Sequence, residues 1–528
     1  MAFNDDEKAP STNAGNTKGL VTIKPVKYSK VAAALTADTL TAMIEINATS
    51  STAVREGLDL VAVLDMSGAK HGEKMESMKK AMVFVITKLT AVDRLSIVSI
   101  SDGGATRLSP LRSMTPAAQD DLIPLVNGLR AGGGTNIEAG LETALAVIAD
   151  RVHTKARTAS IFLMSDGHQT AGDARQVDPG QVPIYTFGFG KGTDHQLMSD
   201  IAMSSPGGTF SSVPDGSMAV SLPFSQLLGG LVTVVAQDVQ LTVTPYTEDG
   251  DVDTIAVAPG ADYTQATDAD TGVVTVKLGT LFAGEARRVV ITLTLKDVSA
   301  AMSEEDAYEY RARLAEVQHS FTAQGKPRDR QCPQDMEITR SPTPSQAPGA
   351  SSKDRQAHAE AIRQARLLAD DGRLDEARDN LVDAHKALEN AVLDLDDGQK
   401  LANSLRAELQ QLLTLMETED LYEAQGRPYA LASETCHGRR RYAARGDDGD
   451  GDVRLFATPR MDTYLEQARN FDNDRTAPTV PGDFAEDEDV KEEVAANPLA
   501  AVSTELAFYL RNAIQALQAV DKIVAPST

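Results

Sequence analysis

A chain of 528 residues is too long for one ordinary hydrophobic core, so two to four domains are expected. Hydrophobic residues make up 42% and charged residues 24%, which is globular, and a formal net charge of -25 repels nucleic-acid phosphates and anionic lipid. Two cysteines, Cys332 and Cys436, exclude a disulfide scaffold and any zinc site built mainly from cysteine.

Residues 1–19 are polar, carry Pro and Gly, and read as a disordered leader without the apolar stretch of a secretory signal. No apolar run approaches a membrane span, so the sequence reads as soluble, intracellular and cytoplasmic. Leu20–Lys27 and Leu40–Ile46 are strand-like. From Gly57 the pattern changes: Leu58 to Asp65 is a near-continuous apolar run ending in an acid, the mark of a parallel strand buried on both faces. Met75, Met78, Met82, Val85, Ile86 and Leu89 then fall at helical spacing. The alternation repeats, with strands at Arg94–Ile100, Ala159–Asp166 and Val182–Gly190. Helices are expected at Ala117–Leu129, Ile137–Asp150, His195–Ser204 and Met218–Val235. Strands alternating with helices from 57 to 235 predict an α/β domain with a doubly wound, mostly parallel sheet.

Residues 236–297 return to antiparallel alternation at Val239–Thr244, Val274–Leu278 and Arg288–Leu295. They are expected to form a β-sandwich with residues 20–56, outside the α/β domain. Residues 298–354 read as a segment holding the Pro-rich linker Ser341–Gly349. Residues 355–437 predict a C-terminal helical region: Gln356–Asp371 and Leu374–Leu388 as a hairpin, then Gly398–Glu423. The hairpin resembles a single tetratricopeptide unit with no second copy. Residues 438–502 read mostly as loop, and 503–528 as a final amphipathic helix.

Three segments offer oxygen ligands: Asp65 to Ala69, Gly134-Thr135-Asn136, and Ser165-Asp166-Gly167. The first and third end predicted strands, where ligands bind in open α/β sheets. Carboxylates and hydroxyls without His or Cys suit a hard cation such as Mg²⁺, Mn²⁺ or Ca²⁺. Such a metal, held with an open position, could bind a partner's carboxylate. At these residues the chain resembles the von Willebrand factor A domain, whose metal-ion-dependent adhesion site reads Asp-x-Ser-x-Ser with a distal Thr and a distal Asp. Asp65, Ser67, Thr135 and Asp166 match four of its five positions. Position 69 departs, with Ala in place of the second Ser, and Lys70 adds a positive charge beside it. Two readings stay open: a bound divalent ion, or a degenerate site whose aspartates hydrogen-bond loop amides and cap helices.

Val63 to Gly68, Gly72 to Met75, Asp93 to Val98, Gly133 to Ile137, Thr186 to Gly190 and Tyr429 to Ser433 are similar to a plant subgroup of these domains. Members of that subgroup resemble RING-type E3 ubiquitin ligases of root growth control, in which a RING precedes the A domain. The resemblance covers roughly residues 20–430. No Cys/His cluster stands before Gly57, so the ligase activity is not expected here. The resemblance implies a non-enzymatic protein-interaction module, or alternatively a RING-less adaptor or regulator in ubiquitin transfer. The partner is a protein ligand, with no nucleic acid and no membrane.

Other motifs read as ordinary structure. Gly132-Gly133-Gly134-Thr135 and Gly188 to Thr193 lack the Gly-Lys-Ser/Thr ending of a phosphate loop. Asp448 to Asp452 imitates a calcium loop, but Val453 and Pro459 stand where its Gly and Glu belong. Arg439-Arg440-Arg441, the only dense basic cluster, reads as a solvated loop, and Asp483–Glu493 as an acidic disordered run.

Overall fold

The computed structural model describes residues 7–10, 19–67, 72–101, 104–190, 192–214, 220–246, 250–257, 263–299, 309–347, 352–390, 396–445 and 455–473. The central sheet has the strand order Phe210–Val213, Ile184–Phe189, Arg157–Ser165, Gly57–Asp65, Arg94–Ser101, Gly104–Arg107, with Arg112–Ser113 also on Arg94–Ser101. The first five strands run parallel and the last two antiparallel. Along Gly57–Asp65, Leu58, Leu60, Ala62 and Leu64 enter the core on one face, and Val61 and Val63 enter the core on the other. That double burial explains the unbroken apolar run, because neither face of the strand meets water. The chain leaves Gly57–Asp65 toward Arg94–Ser101 on one side and later returns as Arg157–Ser165 on the other. The sheet's switch point therefore lies between the carboxyl ends of these two central strands.

This domain interrupts a mostly antiparallel sandwich, in which only Lys30–Ala34 and Lys326–Ser341 pair in parallel among the described residues. One sheet pairs Val21–Ile23, Asp38–Ala48, Ala286–Leu295 and Val252–Val257, with Lys27–Tyr28 also on Asp38–Ala48. The other runs Thr264–Thr267, Val274–Phe282, Val234–Pro245, Tyr310–Ala323, Lys326–Ser341, Lys30–Ala34, Ser345–Gln346. The sandwich thus extends past residue 297, and the bound that left 298–354 outside it is corrected. Tyr310–Ala323 and Lys326–Ser341 are strands of 14 and 16 residues. Their exposed positions carry ion pairs, Arg311 with Glu337 and Arg313 with Asp335, which dilute the apolar alternation seen in the sequence. Their turn is Gln324-Gly325, with φ of 52° and 62°, a left-handed pair without the usual Asn-Gly signature.

Two further expectations change. Of residues 1–19, the segment 7–10 packs on the central domain: Ser113 N–H donates to the Glu7 carboxylate and Ala9 is buried. Of residues 438–502, Pro459–Asn473 is a helix that buries Met461, Tyr464, Leu465, Ala468 and Phe471. These side chains join the core beneath the helices Glu73–Lys88 and Leu222–Leu231, so the α/β domain completes its core with residues far outside 57–235. Single aromatic anchors spaced through a polar helix carry this docking, a pattern that a search for long apolar runs passes over. The expected helix 503–528 and the acidic run lie outside the described residues.

The four helices Ser352–Asp370, Leu374–Asn390, Asp396–Leu415 and Arg427–Arg439 share an aliphatic core. Arg427–Arg439 also lies against the edge strand Phe210–Val213, where Phe210 N–H donates to Thr435 Oγ1 at 3.2 Å. Ser212 N–H then donates to Ala444 O at 3.0 Å, so the segment after the helix continues the sheet. The basic cluster is structural: Arg439 donates to Met203 O, Arg440 to Arg288 O, and Arg441 to the Tyr185 hydroxyl. These guanidiniums saturate carbonyls at a three-way junction and do not form a solvated loop.

Lys88, in the last turn of Glu73–Lys88, is fully buried, with its ammonium over the Phe84 and Tyr464 rings and donating to Gln467. Burial pushes its pKa down to about 7. The unfolded chain binds that proton up to about pH 10.4. Between about pH 7 and 10 the unfolded state therefore holds more protons at this site, and folding is favoured as pH rises. Lys88→Met removes this gain: wild-type stability should rise across that window more steeply than that of the variant. Chemical denaturation at pH 7, 8.5 and 10 measures the difference, and equal slopes would refute the assignment.

Candidate cation site

Asp65 ends the central strand at the switch point and is fully buried. Its Oδ1 accepts from Ser67 N–H at 3.0 Å, a local turn that fixes the backbone at Ser67. Met66 N–H donates to Ile100 O and Gly132 N–H to Met66 O, both at 2.8 Å, which ties this turn to the neighbouring strand and to the glycine loop. Gly132 to Gly134 therefore act as a turn.

Thr135 and Asn136 open the helix Ile137–Ala149. Asn136 Oδ1 caps it by accepting from Ala139 N–H at 2.9 Å. Thr135 N–H donates to Thr170 Oγ1 at 2.8 Å, and Thr135 O accepts from Thr170 and Ala171 N–H. Behind it, a Cβ at Gly140 would stand 2.6 Å from Ile100 Cδ1, so only glycine lets this helix lie so close to the sheet.

Asp166 follows the strand Arg157–Ser165. Its carbonyl accepts from Asp194 N–H at 2.7 Å, and its Oδ1 accepts from His168 N–H at 3.3 Å. Gly167 has a φ of 77°, where a side chain would be strained and would also meet Asp194 O at 2.9 Å. Gly167 therefore permits the sharp turn that presents Asp166.

Ser67, Thr135 and Asp166 are each 3% exposed. The hydroxyl of Ser67 is buried and has no hydrogen-bond partner among the described residues. An unsatisfied buried hydroxyl costs about 1–3 kcal/mol unless something bonds to it. The N–H of Ser67 bonds the Asp65 carboxylate, and the candidate donors are all oxygens, which fits a hard dication. Ala69 and Lys70 lie outside the described residues, as does the Asp448 to Asp452 run.

A second polar cluster was not legible in the sequence. His358, Glu408 and His437 come from three helices, with ligand-type atoms within 4.8 Å of one another. Glu408 Oε2 lies 2.7 Å from His358 Nε2 and 2.8 Å from His437 Nε2, both at hydrogen-bond length. Arg445 Nη2 lies 3.0 Å from Glu408 Oε1, Arg445 Nε donates to Ser433, and Nη2 donates to Cys436 Sγ. Burial raises the Glu408 pKa, but the neighbouring His437 and Arg445 charges and the ring donors hold it well below the usual carboxylate range. Burial lowers the pKa of His437, and the charge and hydrogen bond of Glu408 oppose that shift. A guanidinium already neutralises the carboxylate, so the arrangement is a staple between helices and opposes a dication. Successive members are 50 and 29 residues apart and belong to no motif, so only the helix packing brings them together.

The parallel sheet with its antiparallel edge and the oxygen-lined switch point define a von Willebrand factor type A fold. Residues 59–223 match the family model of the von Willebrand factor type A domain, and the chain carries that domain. Residues 399–470 match a second model, described as VWA / Hh protein intein-like.

Among individual proteins, the chain is 30% identical over 257 residues to the E3 ubiquitin-protein ligase WAV3 of Arabidopsis thaliana, covering 45% of this chain and 31% of that protein. It is 25% identical over 162 residues to inter-alpha-trypsin inhibitor heavy chain H3 of Mesocricetus auratus, covering 28% and 18%. The chain thus spans about a third of the length of the plant ligase that it matches. The structure is similar to a von Willebrand factor type A protein of Catenulispora acidiphila, with a TM-score of 0.52 and 15% identity over 77% of this chain and 91% of that one. That likeness supports the fold. Among the described residues, no helix is long and apolar enough to cross a membrane.

Proposed function

We propose that this chain is a non-enzymatic protein-interaction module whose A domain carries a degenerate divalent-cation site. Asp65, Ser67, Thr135 and Asp166 would hold the ion, with Mg²⁺ preferred and Mn²⁺ or Ca²⁺ as alternatives. The buried Ser67 hydroxyl, which has no hydrogen-bond partner among the described residues, in a turn whose N–H bonds the Asp65 carboxylate, carries this reading. Asp65 and Asp166 supply charge balance, and Ser67 and Thr135 supply neutral oxygens. A bound dication would offer a coordination position to a carboxylate of a protein partner. The helical region adds a second surface for that partner. The acid-rich composition argues against nucleic acid and anionic membrane as partners, and a cytoplasmic location accords with this reading.

Calorimetric titration of Mg²⁺ and Mn²⁺ into wild type, Asp65→Ala and Ala69→Ser tests the site. Asp65→Ala should lose binding. Ala69→Ser should tighten it by about 1–3 kcal/mol, the range for one added polar partner in a buried site, with Lys70 limiting the gain. Absence of binding in all three would remove the ion from this reading.

The similarity to WAV3 favours a second reading, a RING-less adaptor or regulator in ubiquitin transfer. Zinc sites of the RING type take three or four cysteines each, and this sequence has two in all. Purified chain mixed with E1 and E2 should therefore form no ubiquitin chains. Robust chain formation without another ligase would overturn the non-enzymatic assignment.

A further inference from the structure

We propose that Ser165 is a positioning residue of the cation site, coupling its two carboxylate arms through one hydroxyl; this rests on the cation reading above. Ser165 is the last residue of the strand Arg157–Ser165 and is fully buried. The parallel register Val63–Leu163 and Leu64–Met164 brings its side chain beside Asp65. Its Oγ donates to Asp65 Oδ2 at 2.6 Å and accepts from Gly167 N–H at 3.0 Å. The first bond is short and charge-assisted, the stronger class of hydrogen bond. The second closes the turn that presents Asp166. A single rotor therefore fixes the Asp65 carboxylate and the Asp166 turn relative to each other.

The other oxygen of Asp65 is held by Ser67 N–H. With both oxygens engaged by fixed donors, the carboxylate is locked in rotation. The Ser67 hydroxyl, which has no partner among the described residues, is left as the ligand oxygen of that turn. The two serines thus divide the work: Ser67 meets the ion, and Ser165 orients the carboxylate that balances its charge. Loss of an outer partner of this kind typically weakens metal binding about 10–100-fold. The hydroxyl is reproduced by threonine, whereas cysteine keeps the size with a weak donor.

The experiment uses the full chain and Mn²⁺, with free ion counted by electron paramagnetic resonance at a temperature well below unfolding. Circular dichroism and the melting temperature are recorded for each variant. Ser165→Ala should bind Mn²⁺ about 10–100-fold more weakly than wild type, and Ser165→Thr should return to within about threefold. If Ser165→Ala fails to fold, Ser165→Cys is read in its place and should fall between wild type and the alanine loss. Wild-type binding with Ser165→Ala within threefold of it would overturn the positioning role and leave the cation site standing. Absence of Mn²⁺ binding by wild type would overturn both. Equal weakening in the alanine and threonine variants would also overturn the role, because a merely structural defect would not be rescued by the hydroxyl.

Discussion

Asp59→Asn should destabilise the α/β domain by about 3–5 kcal/mol, the cost of removing one partner from a buried ionic cluster. Asp59 sits at the amino end of the central strand, fully buried, and binds three guanidiniums. Arg94 is bidentate, with Nε 2.7 Å from Oδ1 and Nη2 2.6 Å from Oδ2. Arg157 Nε lies 2.7 Å from Oδ1 and Arg151 Nη1 2.9 Å from Oδ2. Asparagine keeps the volume but leaves these cations without their shared anion, and its amide points a donor at donors. Urea denaturation followed by hydrogen exchange in Gly57–Asp65 and Arg157–Ser165 measures the loss. Metal affinity of the folded variant should stay within about twofold, because six residues of strand separate Asp59 from Asp65 by about 20 Å. A loss below 1 kcal/mol would mean that the arginines find other acceptors. A collapse of metal affinity at unchanged stability would mean that the two strand ends are coupled.

The central domain was readable because its signals are local. Leu58 to Asp65 must be apolar on both faces, and the proposed oxygen ligands lie where such strands end. The glycine turns follow directly from that geometry. The strands Tyr310–Ala323 and Lys326–Ser341 were hidden for the opposite reason. Their charges pair across strands, so the residues that stabilise the hairpin also mask its alternation. Pro459–Asn473 was hidden because its anchors acquire meaning only against a helix more than 200 residues earlier. Ser165 lay in a segment already singled out for oxygen ligands. Its bond to Asp65, however, depends on the pairing register, which one strand alone does not specify. The same holds for the arginines at 439 to 441, which look like a solvated basic run until their carbonyl partners are in place.

Glu408→Gln should have a comparable effect on the helical region, about 3–5 kcal/mol, because it strands Arg445 in a buried site. The side chains of His358, Glu408, His437 and Arg445 are at most 2% exposed. In the native state one carboxylate accepts from two imidazoles and faces the guanidinium, so a single charge satisfies groups on Ser352–Asp370, on Arg427–Arg439 and on the segment that continues the central sheet at Ala444. Glutamine removes the charge and offers one oxygen where two were used. Two controls separate charge from packing. Glu408→Met with Arg445→Met removes both charges and should recover at least half of the loss, since an apolar pair carries no unpaired ion. His358→Phe with wild-type Glu408 should cost less, because Arg445 and His437 still hold the carboxylate. The pH dependence follows from the depressed pKa of Glu408. Its contribution is fully present above the unfolded value near 4.3 and is lost as pH falls through the folded value. The gap between wild-type and Glu408→Gln stabilities should therefore hold at and above about pH 4.3 and narrow only as pH falls toward the folded value. Hydrogen exchange within Arg427–Arg439 reads this locally. If glutamine leaves that helix fully protected at neutral pH, Arg445 has another counter-charge and the staple is not what holds the helices to the A domain.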